Sequence, residues 1–178
     1  MSRTVGVVVP AYRPDVEVLR GYLDMLQTVV APAELRVELD DPDPEVVALL
    51  EDSPAVVHAV EARRGKGAAI TDGFEALETD VLAFADADGS TPAESIDSVI
   101  APVLRGEVDL AVGSRRHPDA DIRSHQSILR QHLGDMFAWI ARRFLDVDLY
   151  DYQCGAKALT RETWRDVRDH LYEPGFAW

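Results

Sequence analysis

Two carboxylates, Asp86 and Asp88, stand two positions apart in VLAFADADGST, directly after an apolar run. At the end of a buried strand, two hard oxygen donors so spaced can hold Mg2+ or Mn2+, and such a cation can neutralise a diphosphate leaving group. The pair also has a plain reading as turn chemistry, since Asp side chains hydrogen-bond the backbone two residues on. Upstream, Arg64-Gly65-Lys66-Gly67 leads into a helical pattern. A glycine turn opening a helix offers backbone N–H groups and an ammonium to a phosphate. Its plain reading is a turn with a solvated lysine.

These groups need a frame, and the chain supplies one. Thr4 to Val9 is an apolar, largely β-branched run closed by Pro10, the pattern of a strand buried on both faces. Asp15 can cap a helix to Val29 that carries Val18, Leu19, Tyr22, Leu23, Leu26 and Val30 at helical spacing. Strands are expected over 35–39, 56–60, 81–85 and 109–112, alternating with helices over 45–50, 67–77 and 93–104. Such alternation predicts an α/β domain with a mostly parallel sheet, whose ligands gather at the C-terminal ends of the strands. After Gly113 come a polar loop, a long helix from about 127 to 145, strand and turn over 146–158, and a last helix through Leu171 capped by Thr160. This later part is expected to form a smaller unit packed on the sheet.

The 178 residues fit one domain, and 47% hydrophobic with 28% charged residues disfavours disorder, collagen-like repeats and coiled coil. No apolar run reaches the length of a membrane span and no signal sequence is evident, so a cytosolic location is expected. The single cysteine, Cys154, cannot form an internal disulfide and reads as a small buried residue; no Cys/His cluster has zinc spacing. A net charge of −14 argues against nonspecific nucleic-acid binding. The charge is uneven: residues 1–62 carry −8, whereas 115–143 carry +3, so the later part can face an anion or simply solvate a helix and loop.

Taken together, the segments resemble the family 2 glycosyltransferases of the GT-A fold. VGVVVPAY looks like that family's opening strand and P-A-Y motif, LDD at 39–41 like its second-strand V-D-D, RGKGAA like its G-K-G loop and FADADGST like its D-x-D segment. AVGSRR ending at Arg116, then a long helix, then DYQCGAKALTRETW at 151–164, is similar to the branch that makes dolichyl-phosphate sugars, which carries D-T-Q-C-G-F-K there. The resemblance covers about residues 4–177 and implies a Rossmann-like three-layer sandwich, with a nucleotide-binding part over about 1–113 and an acceptor part over about 114–178.

The resemblance implies a metal-dependent, inverting transfer from a nucleotide-diphosphate sugar to a polyprenyl (dolichyl) phosphate. UDP-glucose is favoured and GDP-mannose comes next. Pro10, Ala11, Tyr12 and Asp40 would line the nucleotide, with Asp40 on the base and Lys66 on the diphosphate. Asp86 and Asp88 would bind ribose and metal, with Ser90 at a third ligand position. Arg115, Arg123, Gln153 and Lys157 would form the acceptor-phosphate end, on the cytoplasmic face of a membrane if the acceptor is a lipid. The chain departs from the family at Arg13-Pro14-Asp15, in place of N-E, and at Pro42-Asp43-Pro44, in place of G-S-T-D. It ends at GFAW, where relatives continue into D-x-E-L, which implies a fragment or a reduced enzyme. Two other readings stand beside this one. D-A-D-G-S also resembles the nucleophile loop of haloacid-dehalogenase-like phosphatases, with Asp86 attacking phosphorus, Asp88 as acid/base, and Ser114 and Lys157 as later motifs. The chain could also bind nucleotide sugars without catalysis.

Only Lys66 and Lys157 are lysines, and the acidic residues are mostly Asp, a bias like that of proteins adapted to high salt. Self-repulsion at net −14 is long-ranged in dilute buffer and screened by salt. The melting temperature is therefore expected to rise steeply with KCl. A curve flat between dilute buffer and molar salt would reduce this to plain acidity.

Overall fold

The computed structural model describes residues 2–113 and 155–170. The apolar runs pair into a six-stranded sheet of β1 (Val5–Tyr12), β2 (Glu34–Asp40), β3 (Val56–Val60), β4 (Val81–Ala85), β5 (Leu110–Val112) and β6 (Ala156–Thr160). Its order is β3-β2-β1-β4-β6-β5. Pairing from β3 through β4 is parallel, and β6 lies antiparallel to both β4 and β5. The expected α/β class with a mostly parallel sheet is thus what forms. Residues 156–160 depart from expectation: they are not part of a unit laid on the sheet but a strand within it.

Side-chain alternation splits the sheet into two faces. Val7, Val9, Val37, Ala83 and Ala158 point to one face, packed by α1 (Val16–Val29), α2 (Pro44–Leu50) and α4 (Ala93–Leu104). Val8, Leu82, Phe84 and Leu159 point to the other, under α3 (Lys66–Ala76) and α5 (Arg161–Val167). Gly6 and Gly73 allow that second layer to close. A Cβ on Gly73 would lie 2.6 Å from Val8 Cγ1, and one on Gly6 would lie 2.7 Å from Leu77 Cδ1.

Three local expectations change. β1 does not stop at Pro10 but runs to Tyr12. It pairs with β4 only as far as Val8↔Phe84, while its pairing with β2 continues to Tyr12↔Asp40. Pro10 therefore lies where β1 has parted from β4, a place that tolerates a missing N–H. On α1, Asp15 caps as expected, accepting from the Glu17 and Val18 amides at 3.1 Å. Its packed stripe is narrower than read, because Leu19, Tyr22, Leu23 and Leu26 are buried while Val18 is exposed. Thr160 caps α5 as expected, its hydroxyl accepting from the Thr163 amide at 3.1 Å, but the α-helix ends at Val167 and a 3-10 turn follows over Arg168–His170.

Glu75 fastens α5 to α3. It accepts from Trp164 Nε1 at 2.8 Å and from Arg168 Nη1 at 3.0 Å, and the Trp164 indole meets Phe74 edge-on at 5.2 Å. Burial acts to raise its carboxyl, but the bonds from Arg168 and Trp164 outweigh that and hold it below the ordinary glutamate range. A lowered folded value means stability present above the unfolded range and lost as pH falls through the folded one. The urea midpoint of the native chain is expected to exceed that of Glu75→Gln near neutral pH. The gap should close as pH drops from about 6 to about 3; a pH-independent gap would show that charge is not the link.

Candidate active site

The topological switch point of the sheet lies where β1 and β4 part, at the C-terminal ends of β1, β2 and β4, the place where open α/β sheets bind ligands. Tyr12 ends β1 and is exposed, with the guanidinium carbons of Arg63 and Arg13 at 4.3 and 5.2 Å from its ring centre. Arg13 and Asp41, each directly after a strand end, take positive φ of 46° and 47°, so both strands turn sharply away at this rim.

Asp40 closes β2 and is 3% exposed. Its Oδ2 accepts from the backbone amides of Arg64 (2.8 Å) and Gly65 (2.9 Å), and its Oδ1 accepts from Arg64 Nε (2.9 Å). The residue that the resemblance assigns to a base thus holds the R-G-K-G turn, and a base would have to share those acceptors. Arg64 also donates to Asp72 Oδ2 at 2.7 Å and to Glu38 Oε2 at 3.0 Å. Burial works against its charge, and the bonds to Asp40, Asp72 and Glu38 more than offset that, so its pKa rises.

The turn delivers Lys66 as the first residue of α3, and its Nζ pairs with Asp86 Oδ1 at 2.5 Å. Phe84, two residues before Asp86 on the same face of β4, floors this pair. Lys66 Nζ lies 5.4 Å from the ring centre and Lys157 Nζ 5.6 Å. Lys157 faces Phe84 in register on β6, so the two lysines expected at the diphosphate and at the acceptor stand over one ring. Gly155, beside it, packs so close that a Cβ would collide with the Asp86 carboxylate.

Asp88 is exposed, and its Oδ1 accepts from the Ser90 amide at 2.9 Å, the turn bond its spacing allows. Gly89 between them takes φ +65° over the Tyr22 ring, and Tyr22 Oη donates to Thr91 O at 2.7 Å. Burial, with the Asp86 and Asp88 charges adding to it, raises the Tyr22 phenol above its ordinary range, so it stays a protonated donor. Among the described residues no cluster of three Asp, Glu, His or Cys forms a metal site unaided. The donor set still suits Mg2+ or Mn2+, which are commonly held by one or two carboxylates with substrate phosphates.

The structure therefore gathers Pro10, Ala11, Tyr12, Asp40, Lys66, Asp86, Asp88, Ser90 and Lys157 at one end of the sheet. Arg115, Arg123 and Gln153 lie outside the described residues. Sequence reading gave Glu38 and Gly155 no part in the site, placed Tyr22 only on the packed stripe of a helix and named Arg64 only as a member of the glycine turn. For Glu38 a signal was present: Arg36, Glu38 and Asp40 alternate within β2, which puts three charges on one face of a buried strand. Gly155→Ala is expected to destabilise the fold by about 1–3 kcal/mol through overpacking. Adding Asp86→Ala should relieve most of that loss; unrelieved loss in a denaturant titration would place the clash elsewhere.

In the comparison with known proteins, the family model described as Glycosyl transferase family 2 matches residues 36–166. Glycosyltransferase AglD of Haloferax volcanii is 33% identical across 98% of this chain and 29% of its own length. A dolichyl-phosphate beta-glucosyltransferase of Drosophila melanogaster is 34% identical across 61% of this chain and 35% of its own. The chain thus spans about a third of the length of these relatives. Among solved structures, glucosyl-3-phosphoglycerate synthase from Mycobacterium tuberculosis, crystallised with Mn2+, UDP-glucose and phosphoglyceric acid, superposes with a TM-score of 0.69. The superposition covers 90% of this chain and 57% of that one at 22% identity, a likeness of fold. Mannosyl-3-phosphoglycerate synthase from Rubrobacter xylanophilus gives 0.66 at 17% identity, over 91% of this chain and 54% of that one. The architecture is that of the GT-A glycosyltransferases, and with the family pattern spanning most of its length this chain belongs to glycosyl transferase family 2.

Proposed function

We propose that the protein transfers a sugar from a nucleotide-diphosphate sugar, UDP-glucose first and GDP-mannose next, to a polyprenyl phosphate, with inversion at the anomeric carbon. The observation that carries this reading is the Lys66–Asp86 pair at the end of β4, with Asp88 beyond it and Lys157 over the same Phe84 ring. The dolichyl-phosphate beta-glucosyltransferase relatives support the acceptor class. Family membership answers the phosphatase reading of Asp86 and Asp88.

Asp86 and Asp88, with Ser90 beside them, would hold Mg2+ or Mn2+, which supplies charge neutralisation to the departing diphosphate. Tyr12, with Pro10 and Ala11 behind it, offers the nucleotide a flat rim. Lys66, fixed at the head of α3, lies where its ammonium reaches a diphosphate as well as Asp86. A phosphate acceptor is already an anion at neutral pH, so its oxygen needs no strong protein base. As that oxygen bonds the anomeric carbon, the bond to the diphosphate breaks and its electron pair leaves with the diphosphate. Positioning and electrostatics then dominate the rate. Lys157, with Arg115, Arg123 and Gln153, would receive the acceptor phosphate. Among the described residues no helix is long and apolar enough to cross a membrane. The lipid of a polyprenyl phosphate acceptor would sit at a membrane surface, which this reading puts on the cytoplasmic side.

Calorimetry of UDP-glucose and GDP-mannose with and without Mn2+ tests the donor end. Binding is expected to need the metal and to weaken at least about tenfold in Asp88→Ala. Equal affinity for the variant would remove the D-x-D assignment. Lys157→Ala should cut transfer to a polyprenyl phosphate by about tenfold or more while sparing nucleotide affinity. The opposite pattern would move Lys157 to the donor, and metal-dependent binding without any transfer would leave a nucleotide-sugar binder.

A further inference from the structure

We propose that Glu38 is a positioning residue for the donor end of the site: from inside β2 it holds the Arg64 guanidinium, so that the Gly65–Lys66 turn presents Lys66 to Asp86 and to a diphosphate. The inference rests on the reading of Lys66 given under the proposed function. Glu38 is fully buried, and a buried carboxylate is tolerated only when its acceptors are engaged. It accepts from Arg36 Nε at 2.5 Å through Oε1 and from Arg64 Nη2 at 3.0 Å through Oε2, which also meets His58 Nδ1 at 2.7 Å. α3 lies directly on its stem, since a Cβ on Gly73 would come within 3.2 Å of Glu38 Cγ.

Arg64 is thereby gripped at three points, Nε by Asp40, Nη1 by Asp72 and Nη2 by Glu38. A planar fork held at three corners has one orientation left. Its backbone is fixed by the same Asp40, and one residue on, Gly65 at φ +97° releases the chain into α3 with Lys66 first. The hydrogen bonds of Glu38 go to Arg36, His58 and Arg64, so its effect on Lys66 passes through this turn. Glutamine in its place has one acceptor oxygen instead of two, so either Arg36 or Arg64 would face an NH2 group. Asp40 and Asp72 would still hold Arg64, which loosens the turn without releasing it.

The test is a double-mutant cycle on the full chain, reading the dissociation constant of UDP in saturating Mn2+ by calorimetry. GDP replaces UDP if the native chain prefers it. Glu38→Gln is expected to weaken binding about fivefold to tenfold and Lys66→Ala at least about tenfold. The double variant should bind no more weakly than Lys66→Ala alone, because Glu38 then has nothing left to position. Losses that multiply in the double variant would show a general structural role and overturn the proposal, as would native affinity in Glu38→Gln. If Glu38→Gln does not fold, Arg64→Lys takes its place, since an ammonium cannot span the three carboxylates, and the same non-additivity is expected. Native affinity in Glu38→Gln beside a loss in Lys66→Ala overturns this proposal alone. A native chain that binds neither UDP nor GDP overturns the donor reading beneath it.

Discussion

A carboxylate buried at the end of a strand must find its hydrogen-bond donors inside the protein, and Asp40 finds three in the Arg64–Gly65 turn. Much of the site follows from that requirement. The turn is drawn to β2, α3 starts at a fixed height above the sheet, and Lys66 arrives opposite Asp86. The guanidinium that completes the arrangement joins β2 to α3 through Glu38 and Asp72. Of its carboxylate partners, Glu38 and Asp40 are buried and tolerable there because each is paired, whereas Asp72 is exposed.

The Asp86–Asp88 loop is supported from the opposite face of the sheet. Tyr22 on α1 sends its hydroxyl to the Thr91 carbonyl and lays its ring beneath Gly89, so the Asp86–Asp88 loop rests on an aromatic post. Gly155 closes against Asp86 from the β6 side, and Phe84 forms a floor shared by two ammonium groups. Lys66 at the head of α3 and Gly155 before β6 thus converge on the Asp86 carboxylate.

Most of the sheet was legible in the sequence because its strands are short apolar runs bounded by polar turns, and β3, β4 and α4 fall where the periodicity puts them. The D-x-D and G-K-G segments were legible as chemistry for the same local reason. Legibility failed where the determinant is distant in sequence. Nothing near Lys66 announces that its partner is Asp86, and nothing near Gly155 announces that its missing side chain makes room for that same group. The resemblance gave Asp40 a ligand-facing role. Its burial depends on a turn more than twenty residues on, which no local pattern reveals. The charged face of β2 could have been found, since Arg36, Glu38 and Asp40 repeat with the period of a strand.

The insertion of β6 between β4 and β5 also orders events in time. Among the described residues β5 bonds only to β6, and β6 reaches β4 through pairs such as Leu82↔Leu159, far apart along the chain. β1 reaches β4 across a similar span, as in Val5↔Val81, but that span is complete once β4 is made, whereas β5 has no partner among the described strands until residues 156–160 exist and have travelled back. Such distant pairing is slow, because a long loop must close before any contact rewards it. In synthesis from the N-terminus, β1 to β4 are therefore made first, and the β4 edge of the described sheet waits for the lysine-bearing β6 to cover it.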